Sequence, residues 1–216
     1  MILGQPILKL ALNPFMLALE ISSLFALWAI IDRILAYRKL SEKEEGKFIE
    51  RVKILIERGR IEELKAFSSA VNRPFARVVN LLAENIDYPR NVLESILESV
   101  LMLTRLELGR KLNVLGTISY IAPLLGLLGT VVGIIQAFYS VAKEGAAVGP
   151  EAMMEGVAIA LLTTAVGIII AVPSAIMYNY FRNKINHLMA RIEVSAEEIM
   201  NFMVYMKEKS EKEKVA

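Results

Sequence analysis

Apolar residues along this chain gather into three long blocks, separated by amphipathic and charged stretches. The first block runs from Pro14 to Ile31 and contains one charge, Glu20. The second runs from Leu112 to Ala142 and has no charge over 31 residues. The third, Gly156 to Phe181, is also uncharged. A helix that crosses a bilayer needs about 20 mostly apolar residues, so the pattern predicts spans at 14–31, 112–142 and 156–181. The first block is too long for a signal-peptide core and no small-x-small cleavage site follows it, so it reads as a retained span.

The intervening segments carry a helical period. In residues 1–13, Gln5, Lys9 and Asn13 fall at i, i+4 and i+8 on an otherwise apolar stretch, which predicts a helix lying in the outer interface. Residues 32–111 read as a helical loop. Ser41 and Glu44 have the spacing of a capping box, and Phe48, Val52, Leu55 and Ile56 share the face that follows. Gly59 suits a helix end. Short helices are expected at about 61–70 and 74–86. A helix starting at Asp87–Pro89, with Val92, Ile96, Val100, Leu103 and Leu106 or Glu107 on its face, is expected to run into span two without a break. At 1.5 Å per residue it would measure ~80 Å. Residues 182–207 put Ile185, Leu188, Ile192, Ala196, Ile199 and Met203 on one face, which makes them its expected bundle partner. The remaining tail, from Lys207, reads as a solvated, frayed end. Two such helices need more apolar partners than one subunit offers, so an oligomer is expected.

Charge gives the orientation. Of the 25 basic residues, 23 lie in 32–111 and 182–216, while the 143–155 link has one Lys against three Glu. Basic flanks mark the cytoplasmic side. Arg33, Arg38 and Lys39 flank span one, Arg110 and Lys111 span two, and Arg182 and Lys184 span three. The N-terminus and the short 143–155 link are therefore expected outside, and the 32–111 loop and the 182–216 tail inside. The fold class expected is all-α integral membrane, with two of the three transmembrane helices extended into a cytoplasmic bundle.

Composition removes several classes. There is no cysteine and one histidine, His187, so thiol chemistry and multi-imidazole metal sites are excluded and no metal or cofactor is expected. The net charge of +2 supplies no field to recruit nucleic acid. No Walker loop, GxGxxG, HExxH or carboxylate pair is present, so the chain does not read as an enzyme. An odd number of spans argues against an inverted repeat within one chain.

The residues that stand out lie in the spans. Gly126, Gly129, Thr130, Gly133 and Ala137 follow i, i+3, i+4, i+7, i+11 in span two. Ala160, Thr163, Thr164, Gly167 and Ala171 follow the same rule in span three, so each set is one helix face. Small residues let helices approach closely in lipid. The threonine hydroxyls also suit a pore wall. From spacing both readings stand, and they are compatible if glycines pack and threonines line. Pro123 and Pro173 each remove a backbone hydrogen bond and are expected to kink their helices. Glu20, an ionisable group in a span, is either a boundary residue near the positive helix end or a proton relay. Glu151 and Glu155 suit charge compensation at the start of span three, or a cation-attracting mouth.

Three segments resemble a known family. Ala122–Phe138 (APLLGLLGTVVGIIQAF) looks like the second-span signature of the TolQ/ExbB proteins, Gly156–Phe181 like their third span, and Ser23–Arg33 (SLFALWAIIDR) like the end of their first. The resemblance covers most of the chain. MotA, the flagellar stator subunit, is similar around the two small-residue spans but has four spans. The resemblance implies a homopentameric ring in the bacterial inner membrane. It implies a dimer of a single-span TolR/ExbD-like partner carrying an intramembrane Asp, with a TolA/TonB-like protein beyond it. It implies a motor in which proton motive force is coupled to work on the outer membrane, as biopolymer or protein transport or as envelope integrity. By motif position, Thr130 and Thr164 correspond to the threonines that face the partner's Asp, with Thr163 beside them on the proton path. The sequence departs from the family's GIAEAL pattern: it reads GVAIAL, with Ile159 where many members have Glu. The alternative expectation is a membrane scaffold that conducts nothing, its small residues serving only to pack.

Overall fold

The computed structural model describes residues 13–38, 42–144 and 150–215. Seven helices make up the described chain. They are α1 (Pro14–Arg38), α2 (Glu42–Glu57), α3 (Ile61–Ala70), α4 (Pro74–Glu84), α5 (Arg90–Gly109), α6 (Leu112–Glu144) and α7 (Pro150–Val215). The expected interfacial helix, apart from Asn13, and the Ser41 end of the capping box lie outside the described residues. Three helices, α1, α6 and α7, are long and apolar enough to cross a membrane, as the three sequence blocks predict. The chain divides into two compact units, one of residues 1–34 and 111–181 and one of residues 35–110 and 182–216.

The first unit is built from the apolar blocks. Asn13, assigned from sequence to a polar stripe, instead caps α1: its Oδ1 accepts from the Phe15 N–H at 3.0 Å, and Pro14 occupies the first helical position, where its missing N–H costs nothing. Small side chains hold much of the interior, among them Ala26, Ala29, Ala122, Ala137, Ala160 and Ala171. Large apolar side chains point outward: Leu24, Trp28, Leu127, Ile135, Ile169 and Ile176 are all exposed. A water-soluble core would reverse this order. In lipid, large side chains lose nothing outside and small ones allow close helix approach. At the Lys111 end, Asp32 accepts from Arg33 Nε at 3.0 Å and from Lys111 Nζ at 2.9 Å. Lys111 also lies 5.5 Å from the centre of the Trp28 ring, a cation–π contact that ties α1 to α6.

The second unit follows the amphipathic period. Phe48, Val52, Leu55 and Ile56 of α2 are buried. Phe48 stacks on Phe67 at 5.0 Å and meets Phe75 edge-on at 4.9 Å. Gly59 has φ +65°, and the bonds Gly59 N–H to Ile56 O and Arg60 N–H to Leu55 O, both 3.0 Å, close α2 as a Schellman motif. The C-terminal part of α7 buries Ile185, Leu188, Ile192, Ala196, Ile199 and Met203, the face the sequence marks. Its charged side joins the other helices, with Lys53 donating to Glu198 at 2.6 Å and Arg191 lying 3.3 Å from the buried Glu45. Lys207 donates to the Ile86 and Asp87 carbonyls at 3.2 and 3.1 Å.

Three expectations are corrected. The helix entering span two is not continuous: α5 ends at Gly109 and α6 begins at Leu112. Glycine is a poor helix former, and the ladder breaks there although Arg110 keeps helical angles (φ −52°, ψ −49°). Of the two helices expected to continue beyond their spans, only α7 is unbroken, from Pro150 to Val215. The buried face of α5 is Leu93, Leu97 and Thr104, while Leu103 and Leu106 are exposed, a rotation of one position from the expected set. The tail is helical to Val215 rather than frayed. The helices themselves run past the predicted spans: α1 extends to Arg38, and α7 starts at Pro150, a proline suited to a helix start, with Glu151 in its first turn.

Candidate functional site

The small-residue faces of α6 and α7 interlock in one antiparallel register. A Cβ added at Gly167 would stand 2.6 Å from the Ala122 carbonyl oxygen and 3.3 Å from Gly126 Cα. One added at Gly126 would stand 3.0 Å from Thr164 Cα, one at Gly129 2.7 Å from the Thr163 methyl, and one at Gly133 2.7 Å from Ala160 Cβ. Each glycine therefore faces a named neighbour that leaves no room for a side chain. The register continues outward: Gly156 faces Ala137, and Gly116 faces the Tyr178 ring at 2.9 Å.

This packing sorts the three threonines. Thr130 and Thr164, both half-buried, meet across the helix pair with their hydroxyl oxygens in direct hydrogen-bond contact. Thr164 donates to the Gly126 carbonyl at 2.9 Å. Thr130 lies 3.1 Å from the Gly126 carbonyl and 3.2 Å from the Ala160 carbonyl. Thr163 is fully buried, its hydroxyl bonded to the Ile159 carbonyl of its own helix at 3.1 Å and its methyl against Gly129. Grouped with the pair on the sequence, it is instead a packing residue, turned away by the 100° step between neighbours on a helix.

The threonine pair accepts more readily than it donates. It has two O–H hydrogens, and these face each other and two backbone carbonyls. Each hydroxyl oxygen has two lone pairs, so acceptor capacity exceeds the available hydrogens. A neutral carboxylic acid brought to the pair finds acceptors. A carboxylate would need a hydroxyl hydrogen diverted from a carbonyl.

The other candidate residues do not converge here. Glu20 is exposed on α1, on the outward stripe with Leu17, Ile21 and Leu24. Glu151 and Glu155 are exposed in the first two turns of α7, where negative charge is favoured. Ile159, at the position of the departed Glu, is half-buried. α6 runs on through Pro123 and α7 through Pro173. A feature not singled out from the sequence is a groove of about 560 Å³ beside α6, lined by Asn113, Gly116, Thr117, Ser119, Tyr120, Ile121 and Tyr178. Its signal was present: four of the eight residues from Asn113 to Tyr120 are polar or phenolic, inside an uncharged block.

The sequence signature of the MotA/TolQ/ExbB proton channel family matches residues 67–194. The biopolymer transport protein ExbB of Aquifex aeolicus is 43 % identical over 79 residues, covering 37 % of this chain and 53 % of that protein. An ExbB homolog of Methanothermobacter thermautotrophicus is 29 % identical over 168 residues, 76 % of this chain and 58 % of its own length. The biopolymer transport protein exbB1 of Vibrio cholerae is 36 % identical over 98 residues, 45 % of this chain and 43 % of its own. The chain thus spans about half the length of the curated relatives it matches.

Proposed function

The chain belongs to the MotA/TolQ/ExbB proton channel family, and from that premise we propose that this ExbB/TolQ-type membrane subunit works in a proton-driven machine. In this reading it is not an enzyme. Five copies form a ring lined by α6 and α7, enclosing a dimer of a single-span TolR/ExbD-like partner. The N-terminus faces the periplasm and the C-terminus the cytoplasm. Proton flow drives motion of the partner, which delivers work to the outer membrane through a TolA/TonB-like protein in biopolymer transport or envelope integrity.

The observation that carries this reading is the meeting of Thr130 and Thr164. An Asp on the partner's span must lose its charge to move against an apolar wall, because an isolated carboxylate in a low-dielectric medium is very costly. The threonine pair suits the neutral acid, since it supplies acceptors in an otherwise apolar face. As the partner's acid moves past the pair it changes protonation state, and the ring steps. With Ile159 at the usual Glu position, no second carboxylate of this chain takes part at that point, and the relay consists of hydroxyls and water. Thr163 and the glycines keep the two helices at the spacing the pair requires. The scaffold reading draws on the same glycine contacts but gives the two hydroxyls no role.

Thr164→Val separates the two readings. It keeps the side-chain shape and removes the hydroxyl. Expected is an unchanged five-subunit mass in native mass spectrometry, with proton-driven work lost. Full work in this variant refutes the role of the pair. A monomer or dimer mass for the unmodified chain refutes the ring and favours the scaffold.

A further inference from the structure

The far ends of α6 and α7 stand beyond the rest of the first unit. The bond from Lys111 to Asp32, 2.9 Å long, and the approach of Phe15 Cβ to within 3.3 Å of a Cβ built at Gly129 set α1 antiparallel to α6. In this register Pro14 is level with Thr130. The rest of α6, Val131 to Glu144, runs about 21 Å past the first residue of α1. The apolar block of 31 residues from Leu112 to Ala142 is ~46 Å long as a helix, against about 30 Å of hydrocarbon. Immersing all of it would take a tilt of about 50°, beyond the usual range of up to about 40°. The charges of Asp32, Arg33 and Lys111 hold the inner end at the membrane boundary, so the excess length lies at the outer end. Large apolar side chains there have no hydrocarbon around them and mark a contact surface.

Two such surfaces exist. On α6, Tyr139 is 67 % exposed and Lys143 is exposed one turn further on. On α7, Met154 is 70 % exposed, between the exposed Glu151 and Glu155. The glycine register fixes their heights. Gly133 meets Ala160 and Gly156 meets Ala137, so Tyr139 is level with Met154, and Lys143 with Pro150 and Glu151. Although level, Lys143 and Glu151 form no ion pair among the described residues, so each charge is offered outside its own hairpin. Copies in one membrane share an orientation, so the axis of a ring is parallel to the membrane normal and every residue keeps its height from copy to copy. A contact between like surfaces would set Lys143 against Lys143 and Glu151 against Glu151. A contact between unlike surfaces sets cation against anion and the Tyr139 ring against the Met154 sulfur, a favourable pairing. It is also the head-to-tail type that closes into a ring. We propose that the outer end of the α6–α7 hairpin is a contact between subunits, in which Tyr139 and Lys143 of one copy seat on Met154 and Glu151 of the next. This rests on the ring reading above.

The chain has no cysteine, so single thiols report cleanly. Two differently tagged full-length copies, one Tyr139→Cys and the other Met154→Cys, are co-expressed and treated in membranes with a short bis-methanethiosulfonate. A short linker joins only sites it can span, so the unlike pair is expected to link at least ~10-fold faster than Tyr139→Cys with itself or Met154→Cys with itself. Equal rates for like and unlike pairs, or no linkage, overturn the contact. Charge reversal tests the ion pair. Lys143→Glu and Glu151→Lys each place like charges across the contact, and each is expected to speed subunit exchange between tagged rings about threefold or more at low salt, followed by native mass spectrometry. The double variant restores opposite charges and is expected to return to within about twofold of the unmodified rate. Single variants that exchange at the unmodified rate, or a double variant as fast as the faster single one, overturn the pairing. A monomer or dimer mass for the unmodified chain removes the ring and this contact with it. A ring mass with no preference for the unlike thiols removes the contact alone.

Discussion

Gly167→Ala puts the helix interlock to its most direct test. The added methyl would stand 2.6 Å from the Ala122 carbonyl oxygen, and that oxygen belongs to backbone, so no side chain can swing away. A carbon–oxygen contact is comfortable at about 3.3 Å, which requires α6 and α7 to separate by roughly 0.7 Å. The Thr164–Gly126 bond, 2.9 Å in the structure, then stretches to about 3.6 Å, beyond useful hydrogen-bond length. Overpacking of this kind costs ~1–3 kcal/mol and the lost bond about 0.5–1.5 kcal/mol. Alanine's better helix propensity returns about 1 kcal/mol. The expected net loss is ~1–3 kcal/mol, read as a lower midpoint in detergent-titrated unfolding followed by circular dichroism. Gly46→Ala is the control: Gly46 lies within α2 with no atom within 4 Å of an added Cβ, so the same substitution gains up to about 1 kcal/mol. If Gly167→Ala matches Gly46→Ala in sign and size, α6 and α7 do not approach as described, and the geometry assigned to the threonine pair falls with them.

Three further outcomes test other parts of the molecule. Gly59→Ala forces a Cβ onto a backbone at φ +65° and is expected to lower stability by ~1–2 kcal/mol, which a thermal melt of the full chain would show as a lower midpoint. Asp32→Asn removes the carboxylate shared by Arg33 and Lys111. A loss of about 1–3 kcal/mol is expected, and unchanged unfolding would mean that this cluster does not tie α1 to α6. Leu64→Ala empties a fully buried position in the second unit, with an expected cost of ~2–5 kcal/mol. Limited proteolysis of residues 42–110 should accelerate accordingly, and an unaltered digestion rate would contradict the packing of α3.

Much of this architecture was legible because burial in lipid and burial in protein write different patterns. The three spans announce themselves by length and scarcity of charge, and the bounds of α3 at Ile61 and Ala70 match those expected. The α7 face from Ile185 to Met203 appears where the period places it, because six apolar positions in register leave no competing face. The α5 face was misplaced by one position because apolar residues occupy both candidate stripes: Val92, Ile96 and Leu103 compete with Leu93 and Leu97. Only the fold around α5 selects between them. The break at Gly109 was missed for a related reason, since a single glycine weakens a helix without dictating where it ends.

The sequence by itself determined that this chain carries three membrane-length helices, two of them faced with small residues, and that it has no thiol and a single imidazole. Those conclusions rest on composition and period, which survive whatever the helices pack against. Tertiary structure alone decided which hydroxyl meets which. Thr163 and Thr164 are neighbours in one small-residue row, and a helical period cannot choose between two positions 100° apart. The choice follows from how α7 rotates against α6, and that rotation is set by Gly126, Gly129, Gly133 and Gly167 meeting Thr164, Thr163, Ala160 and Ala122. The same contact places the Tyr178 ring over Gly116. Local pattern states what each face is made of. The approach of two backbones, with no side chain between them, decides what each face touches.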